Sequence, residues 1–189
     1  MSEPRVNRRR AAPLRMTREQ WRQWSDDGGA RSERVSGEVV AMAPERWAHA
    51  RIKANIFVVF RAALVASASG CVAVPDGMTV EIDDDTDYEP DAAIHCGGPI
   101  ADESLAIANP VVVVEVLSPS TQRVDSQIKL GDYFRLASIR HYLLVRTDRH
   151  EVLHYRRGPD QRPVLETLTS GTVTLDPPGI AIGFKDIYD

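Results

Sequence analysis

Apolar positions change their spacing several times along this chain, and each change marks an element. Across residues 48–68, Ile52, Ile56, Val59 and Ala63 recur at three- and four-residue steps, the stripe of a core-facing helix. After Gly70 the spacing shortens. Residues 71–74 and 78–82 read as strands around Pro75-Asp76-Gly77, where proline presets φ and glycine admits a left-handed position. Residues 90–95 form a further strand, and the valine run 111–117 predicts a central strand buried on both faces. Ser118-Pro119-Ser120-Thr121 breaks that run, and Ser120 or Thr121 can cap a helix extending to about Ala137. Residues 141–146 make another strand, 151–155 and 164–168 a late hairpin, and the tail a last short strand. Upstream, Thr17 and Gln20 have capping-box spacing for a short helix through Trp24. Residues 34–42 alternate around Ser36-Gly37 as a small hairpin with Glu38 just past its turn.

The order helix, three strands, helix, strand predicts an α/β fold on a mixed sheet, an αβββαβ core. An N-terminal helix and hairpin precede it, and a C-terminal β-hairpin extends it. The 189 residues are one domain's worth of chain. No apolar run nears the roughly 20 residues that span a bilayer, and no apolar stretch follows the N-terminal arginines as in a secretory signal. Cys71 and Cys96 lack CxxC spacing and are expected as separate thiols, which points to a cytoplasmic protein.

Charge divides the chain unevenly. Arg5, Arg8, Arg9, Arg10 and Arg15 against Glu3 give residues 1–15 a charge of +4, so the net −4 of the whole leaves −8 on residues 16–189. Residues 1–15 are therefore expected as a flexible basic arm on a single domain, 16–189. An acidic body argues against indiscriminate DNA coating, which depends on phosphate neutralisation. The dense acidic run 83–87 lacks the glycine and distal glutamate of a calcium loop and reads as a solvated turn.

Candidate chemistry sits at Asp91, Glu115 and Lys129. Glu115 interrupts an otherwise aliphatic strand, where a buried carboxylate costs several kcal/mol unless paired or coordinated. Coordination to a metal and a salt bridge to one of the 20 arginines both satisfy it. Asp91 opens the preceding strand, so pairing of the two strands would bring both carboxylates to one volume. Carboxylate oxygens suit a hard divalent cation, which polarises a phosphate and activates water. Lys129 is one of only three lysines, and a compact ammonium does what guanidinium cannot easily replace. Seven helical steps from Gln122 cover roughly 10 Å. Two strand steps from Leu117 to Glu115 cover roughly 7 Å. A helix returning over the strand would thus level Lys129 with Glu115, and Asp125, Lys129 and Tyr133 share one face. Alternatively Lys129 is a surface charge paired with Asp125 or Asp132. His49 has two readings as well, contact with the phosphate or a metal ligand, and a helix cap. His141, His150 and His154 are assigned no role.

Taken together, Ser36-Gly37-Glu38, His49, Pro90-Asp91, the stretch Val114-Glu115-Val116-Leu117-Ser118-Pro119-Ser120-Thr121 and the spacing of Asp125, Lys129 and Tyr133 resemble the Uma-two family of bacterial restriction-endonuclease proteins, within the PD-(D/E)XK nuclease superfamily. The resemblance spans roughly residues 17–186. It implies a restriction-endonuclease-like core and a magnesium site on Asp91 and Glu115, with Mn2+ as a substitute and the carbonyl of Val116 as a further ligand. It also implies a catalytic lysine at Lys129, an accessory acid at Glu38, a DNA substrate and a homodimer. The chain departs from the family pattern at Ser36, where aspartate is usual, at Ala137-Ser138-Ile139, where a glycine-containing turn is usual, and at Leu143, where tryptophan is common. Two functions follow as expectations. One is a Mg2+-dependent endodeoxyribonuclease; the other is the same fold acting as a DNA-binding or dimeric interaction module with little turnover.

Overall fold

A computed structural model describes residues 12–117 and 125–189 of the chain. In chain order its elements are α1 (Arg18–Asp26), β1 (Ser32–Val35), β2 (Glu38–Ala41), α2 (Trp47–Ser67), β3 (Val72–Pro75), β4 (Val80–Glu81), β5 (Asp87–Tyr88), β6 (Ala92–His95), β7 (Pro110–Leu117), α3 (Asp125–Tyr133), β8 (His141–Arg146), β9 (Val152–Arg157), β10 (Pro163–Leu168), β11 (Thr172–Leu175), β12 (Ile180–Gly183) and α4 (Phe184–Tyr188). The Ser118–Thr121 break and the cap expected there lie outside the described residues.

A six-stranded mixed sheet, in the order β10-β9-β8-β7-β6-β3, forms the spine. β6 runs antiparallel to β7, and β8 runs parallel to β7 across the α3 crossover. The sequence α2, β3, β6, β7, α3, β8 realises the expected αβββαβ core. β7 is buried on both faces, as its valines require. Val112, Val114 and Val116 pack with Ile52, Ile56, Phe60 and Leu64 of α2 and with the β11–β12 hairpin. Val113 and Leu117 turn the other way, towards Tyr88, Tyr133 and Tyr142. Glu115 shares that second face by alternation.

Strands 71–74 and 78–82 do not pair with each other. β3 joins the large sheet beside β6, whereas β4 leaves it for a smaller sheet ordered β2-β1-β5-β4. What binds that sheet together corrects the reading of residues 83–87. Asp87 is fully buried and accepts from Arg34 Nε at 2.7 Å and Arg18 Nε at 2.7 Å. Arg34 is itself fully buried and donates to the Asp84 carbonyl at 2.6 Å. The acidic run is thus half solvated turn and half ion-pair clasp between hairpins.

The expected capping box is present, with Thr17 and Gln20 each bonding the other's backbone. Ser36 and Gly37 have φ of 50° and 80°, the left-handed pair that a tight hairpin turn needs. The basic arm is docked at its end: Leu14 accepts from Val39 at 2.7 Å and Arg15 bridges Glu38, while residues 1–11 lie outside the described region. α3 stops at Tyr133, short of Ala137. Beyond it, Arg157 collects the carbonyls of Phe134, Leu136 and Ile139 at 2.8–3.0 Å, replacing helical partners.

The cysteine expectation is overturned. Cys71 and Cys96 form a disulfide with a Cα–Cα distance of 4.4 Å, one ladder position beyond the Val72–His95 pair. They therefore carry no argument for a reducing compartment. Among the described residues, no helix is long and apolar enough to cross a membrane.

Candidate functional site

The β6–β7 register, Ala92 against Val114, sets Asp91 opposite Glu115 at the next position. The backbone N–H of Asp91 bonds Val114 at 3.0 Å, and its carboxylate takes over the ladder beyond: Oδ2 accepts from the Val116 N–H at 2.7 Å. Oδ1 lies 2.9 Å from His49 Nε2, which projects from the first turn of α2. His49 is therefore a partner of Asp91, not a helix cap.

Lys129 crosses from α3 to meet the strands, with 7% of its surface exposed. Its Nζ donates to Glu115 Oε1 at 3.0 Å and to Glu33 Oε1 at 2.7 Å, and stands 5.0 Å from the centre of the Tyr88 ring. This overturns the surface-charge reading; Asp132 instead accepts from the Tyr88 hydroxyl at 2.6 Å. Among the described residues, Glu115 has no arginine partner. Its second donor is the Tyr133 hydroxyl at 2.9 Å, so two of the three helix-face residues converge on one carboxylate. The third, Asp125, opens α3, and its side chain lies outside the described residues.

Glu33 is the residue that sequence reasoning missed. It sits on β1, five residues before Glu38, and also accepts from the Glu89 N–H at 2.9 Å. Glu38 pairs across the hairpin turn with Val35 and hydrogen-bonds none of Asp91, Glu115 and Lys129. Glu33 lies two residues from the half-buried Val35 and so shares its inward side. That cue is blurred in the sequence because Arg34, on the opposite side, is buried too.

Among the described residues the cluster holds three carboxyl groups, Glu33, Asp91 and Glu115, and one ammonium, which bonds Glu33 and Glu115. Burial pushes the Glu115 carboxyl up to about 8; Lys129 pulls against the shift, and Glu33 and Asp91 add to it. Burial also works against the charge on Lys129, but Glu115 and Glu33 outweigh it and hold the ammonium above its ordinary value. Lys129 therefore stays charged, and Glu115, whose anion burial disfavours first and Glu33 and Asp91 disfavour further, is the acid held high. Burial, then Glu115 and Glu33, raise Tyr133 well above the usual phenol range, keeping it a donor. Burial lowers His49, yet its bond to Asp91 prevails and the net direction is upward.

A mixed sheet with two carboxylates on adjacent strands and a lysine from the crossover helix defines a restriction-endonuclease-like nuclease fold. The chain belongs to the Uma2 family, described as "Putative restriction endonuclease", which matches residues 18–187. An uncharacterized protein of Synechocystis sp., slr1290, is 25% identical over 181 residues, covering 94% of each chain. A second from the same organism, sll1609, is 24% identical over 163 residues, 85% of this chain and 92% of its own. The crystal structure of "a putative nuclease belonging to DUF820" from Anabaena variabilis superposes with a TM-score of 0.71 at 16% identity, over 92% of this chain and 97% of that one.

Proposed function

We propose that this protein is a metal-dependent endonuclease that hydrolyses DNA phosphodiester bonds at the Asp91–Glu115–Lys129 cluster. The observation that carries the reading is the convergence, among the described residues, of three carboxyl groups, Glu33, Asp91 and Glu115, with the Lys129 ammonium at the β6–β7 junction. A divalent cation fits that donor set, because hard oxygen ligands are what Mg2+ and Mn2+ take. Asp91 and Glu115, with the carbonyl of Val116, would hold it. Bound there, the ion supplies Lewis-acid polarisation of the phosphate and a more acidic water.

The remaining work falls to the chain. Lys129 faces the scissile phosphate as a charged donor and stabilises the negative charge that builds up on it. A general-base role fits less well, since Glu115 and Glu33 favour its protonated form. Glu33 aims the ammonium, and Tyr133 fixes the Glu115 rotamer from a fully buried position. Glu33, not Glu38, is thus the accessory acid of this proposal. The described residues hold one such cluster, so a homodimer would supply the second for concerted cutting of both strands of a duplex.

The test is nicking of supercoiled plasmid with Mg2+ or Mn2+. Wild type is expected to cut, and Glu115→Ala and Lys129→Ala to lose about 100-fold or more, the usual loss on removing a charge-stabilising group. Absence of cleavage on every DNA topology, sequence and methylation state would end the enzyme claim. DNA binding retained in that outcome would favour the interaction-module reading, in keeping with the acidic body.

A further inference from the structure

α2 differs in charge from the body that surrounds it. Residues 46–75 contain no acid, in a chain with 27 acidic residues, and they carry Arg46, Arg51, Lys53 and Arg61. In the first turn of that helix Trp47 is 78% exposed, whereas Trp21 is buried. We infer that Trp47 is a stacking platform for an unpaired nucleobase beside the scissile bond, with Arg46 and Arg61 contacting phosphates of the same strand. The inference rests on the nuclease reading and names the substrate class of its site: DNA with an unpaired stretch, whose bases offer bare π-faces.

Position carries the argument first. Trp47 precedes His49, whose Nε2 lies 2.9 Å from Asp91 Oδ1. Two helical steps rise about 3 Å and turn about 200°, so His49 meets Asp91 while the indole faces outwards beside it. A phosphate held at the cluster therefore has its neighbouring nucleotide within reach of the ring. Among the described residues, no aromatic ring or cation packs on that indole. Arg46, also exposed, makes no ion pair among them and gives α2 no side-chain cap bond. From Trp47 to the exposed Arg61 the helix advances about 21 Å and returns to within about 40° of the same side. A few extended nucleotides cover that span.

Acidic neighbours are the main objection. Glu45 stands just before Arg46, but Lys53 and Arg31 both contact its Oε1. α4 packs beside α2, where Arg51 and Asn55 donate to the carbonyls of Tyr188 and Ile187. The Asp186 carboxylate of α4 turns back on Gly183. The other occupant to weigh is a second copy of the chain, because Val58 and Val65 are 62% and 78% exposed on the side of Trp47. Packing α2 on its own copy would bring arginines of both helices together with no acid on either, and like charge opposes that contact. A polyanion meets the same helix with opposite charge.

The test is fluorescence anisotropy of the full-length protein with a short fluorescein-labelled oligothymidylate and with a labelled blunt duplex. Both are titrated in CaCl2, and a gel shows the probes uncut. Trp47→Ala should weaken the single strand at least about fivefold and the duplex less than about twofold. Trp47→Phe should keep the single-strand affinity within about twofold, since a phenyl ring still stacks. Binding should quench tryptophan emission in wild type, and Trp47→Phe should remove that quench. Arg46→Gln and Arg61→Gln should each lower the slope of log K against log salt by about 0.7 for the single strand. Unchanged single-strand affinity in Trp47→Ala would overturn this inference and leave nicking at Asp91, Glu115 and Lys129 standing. A Trp47-dependent quench in a protein that nicks no DNA would leave the platform standing and remove the nuclease reading. No binding of either probe would overturn both. A wild-type dimer that Trp47→Ala turns into a monomer in sedimentation would mark this side of α2 as a contact between copies and overturn the platform. Circular dichroism checks the fold of each variant.

Discussion

Lys129 draws its position from two acids on different sheets, and its two bonds are unequal in kind. Glu115 comes from the buried central strand, whereas Glu33 comes from the small sheet and also accepts a backbone N–H from Glu89. Glu33→Ala would therefore strip the ammonium of its shorter partner and leave a buried N–H without an acceptor. An orphaned buried donor costs about 1–3 kcal/mol. Urea unfolding of Glu33→Ala should show that loss together with at least a tenfold fall in nicking. Glu38→Ala, whose side chain touches none of these groups, should stay within about 0.5 kcal/mol of wild type. Equal effects at the two positions would refute the assignment of Glu33. Much of the site was legible in the residues: a lone acid in a valine strand, an aspartate opening its neighbour and a rare lysine on a returning helix. Glu33 was not, because it is contributed by a separate sheet whose docking no local pattern reports. His49 was singled out in the sequence with two readings open, and only the meeting of α2 with the end of β6 decides between them by setting it against Asp91.

Elements obeyed their periodicities more faithfully than their partnerships. The stripe on α2, the capping box of α1, the valine strand β7 and the β9–β10 hairpin all formed near their expected bounds. Pairing failed where a turn proved to be a transfer between sheets. Pro75-Asp76-Gly77 has the composition of a hairpin turn, yet β3 and β4 part there because β4 finds β5, and β5 finds β1 through the Arg34–Asp87 clasp. Removing one member of a buried ion pair leaves the other charged and unmatched, at a cost of about 3–5 kcal/mol. Asp87→Asn should therefore destabilise the protein by about that amount in chemical denaturation. Asp84→Asn, in the same acidic run but exposed and linked to Arg34 through its backbone carbonyl, should change little. The small sheet carries Glu33, so Asp87→Asn should also impair nicking. Full activity alongside lost stability would mean that the clasp holds the fold without holding the site.

Seen as a whole, the molecule keeps its two faces electrostatically distinct. One face of the large sheet carries the acid-rich site; the other seats a buried histidine pair, His141 Nδ1 against His154 Nε2 at 2.9 Å. A single proton between two neutral rings satisfies that bond, and a second would be repelled. Burial lowers both residues, and it carries His154 down to about 4, with His141 and Arg156 opposing its charge as well. The unfolded chain protonates the same rings near 6.5. Between pH 6.5 and 4 the unfolded state therefore binds more protons, and stability falls as pH falls, by linkage. The contribution is fully present above 6.5 and is spent by about pH 4. Glu115 slopes the opposite way: its raised carboxyl favours the folded protein at low pH and loses that advantage as pH rises from its unfolded value towards 8. A bare stability profile would mix the two. The difference between wild type and His154→Gln separates them, because Glu115 is common to both. Wild type should lose on the order of 2–3 kcal/mol more than the variant between pH 7.5 and 4 in urea titrations. Parallel profiles would mean that His154 is protonated alike in the folded and unfolded chain, and that the sheet's second face takes no part in its response to acid.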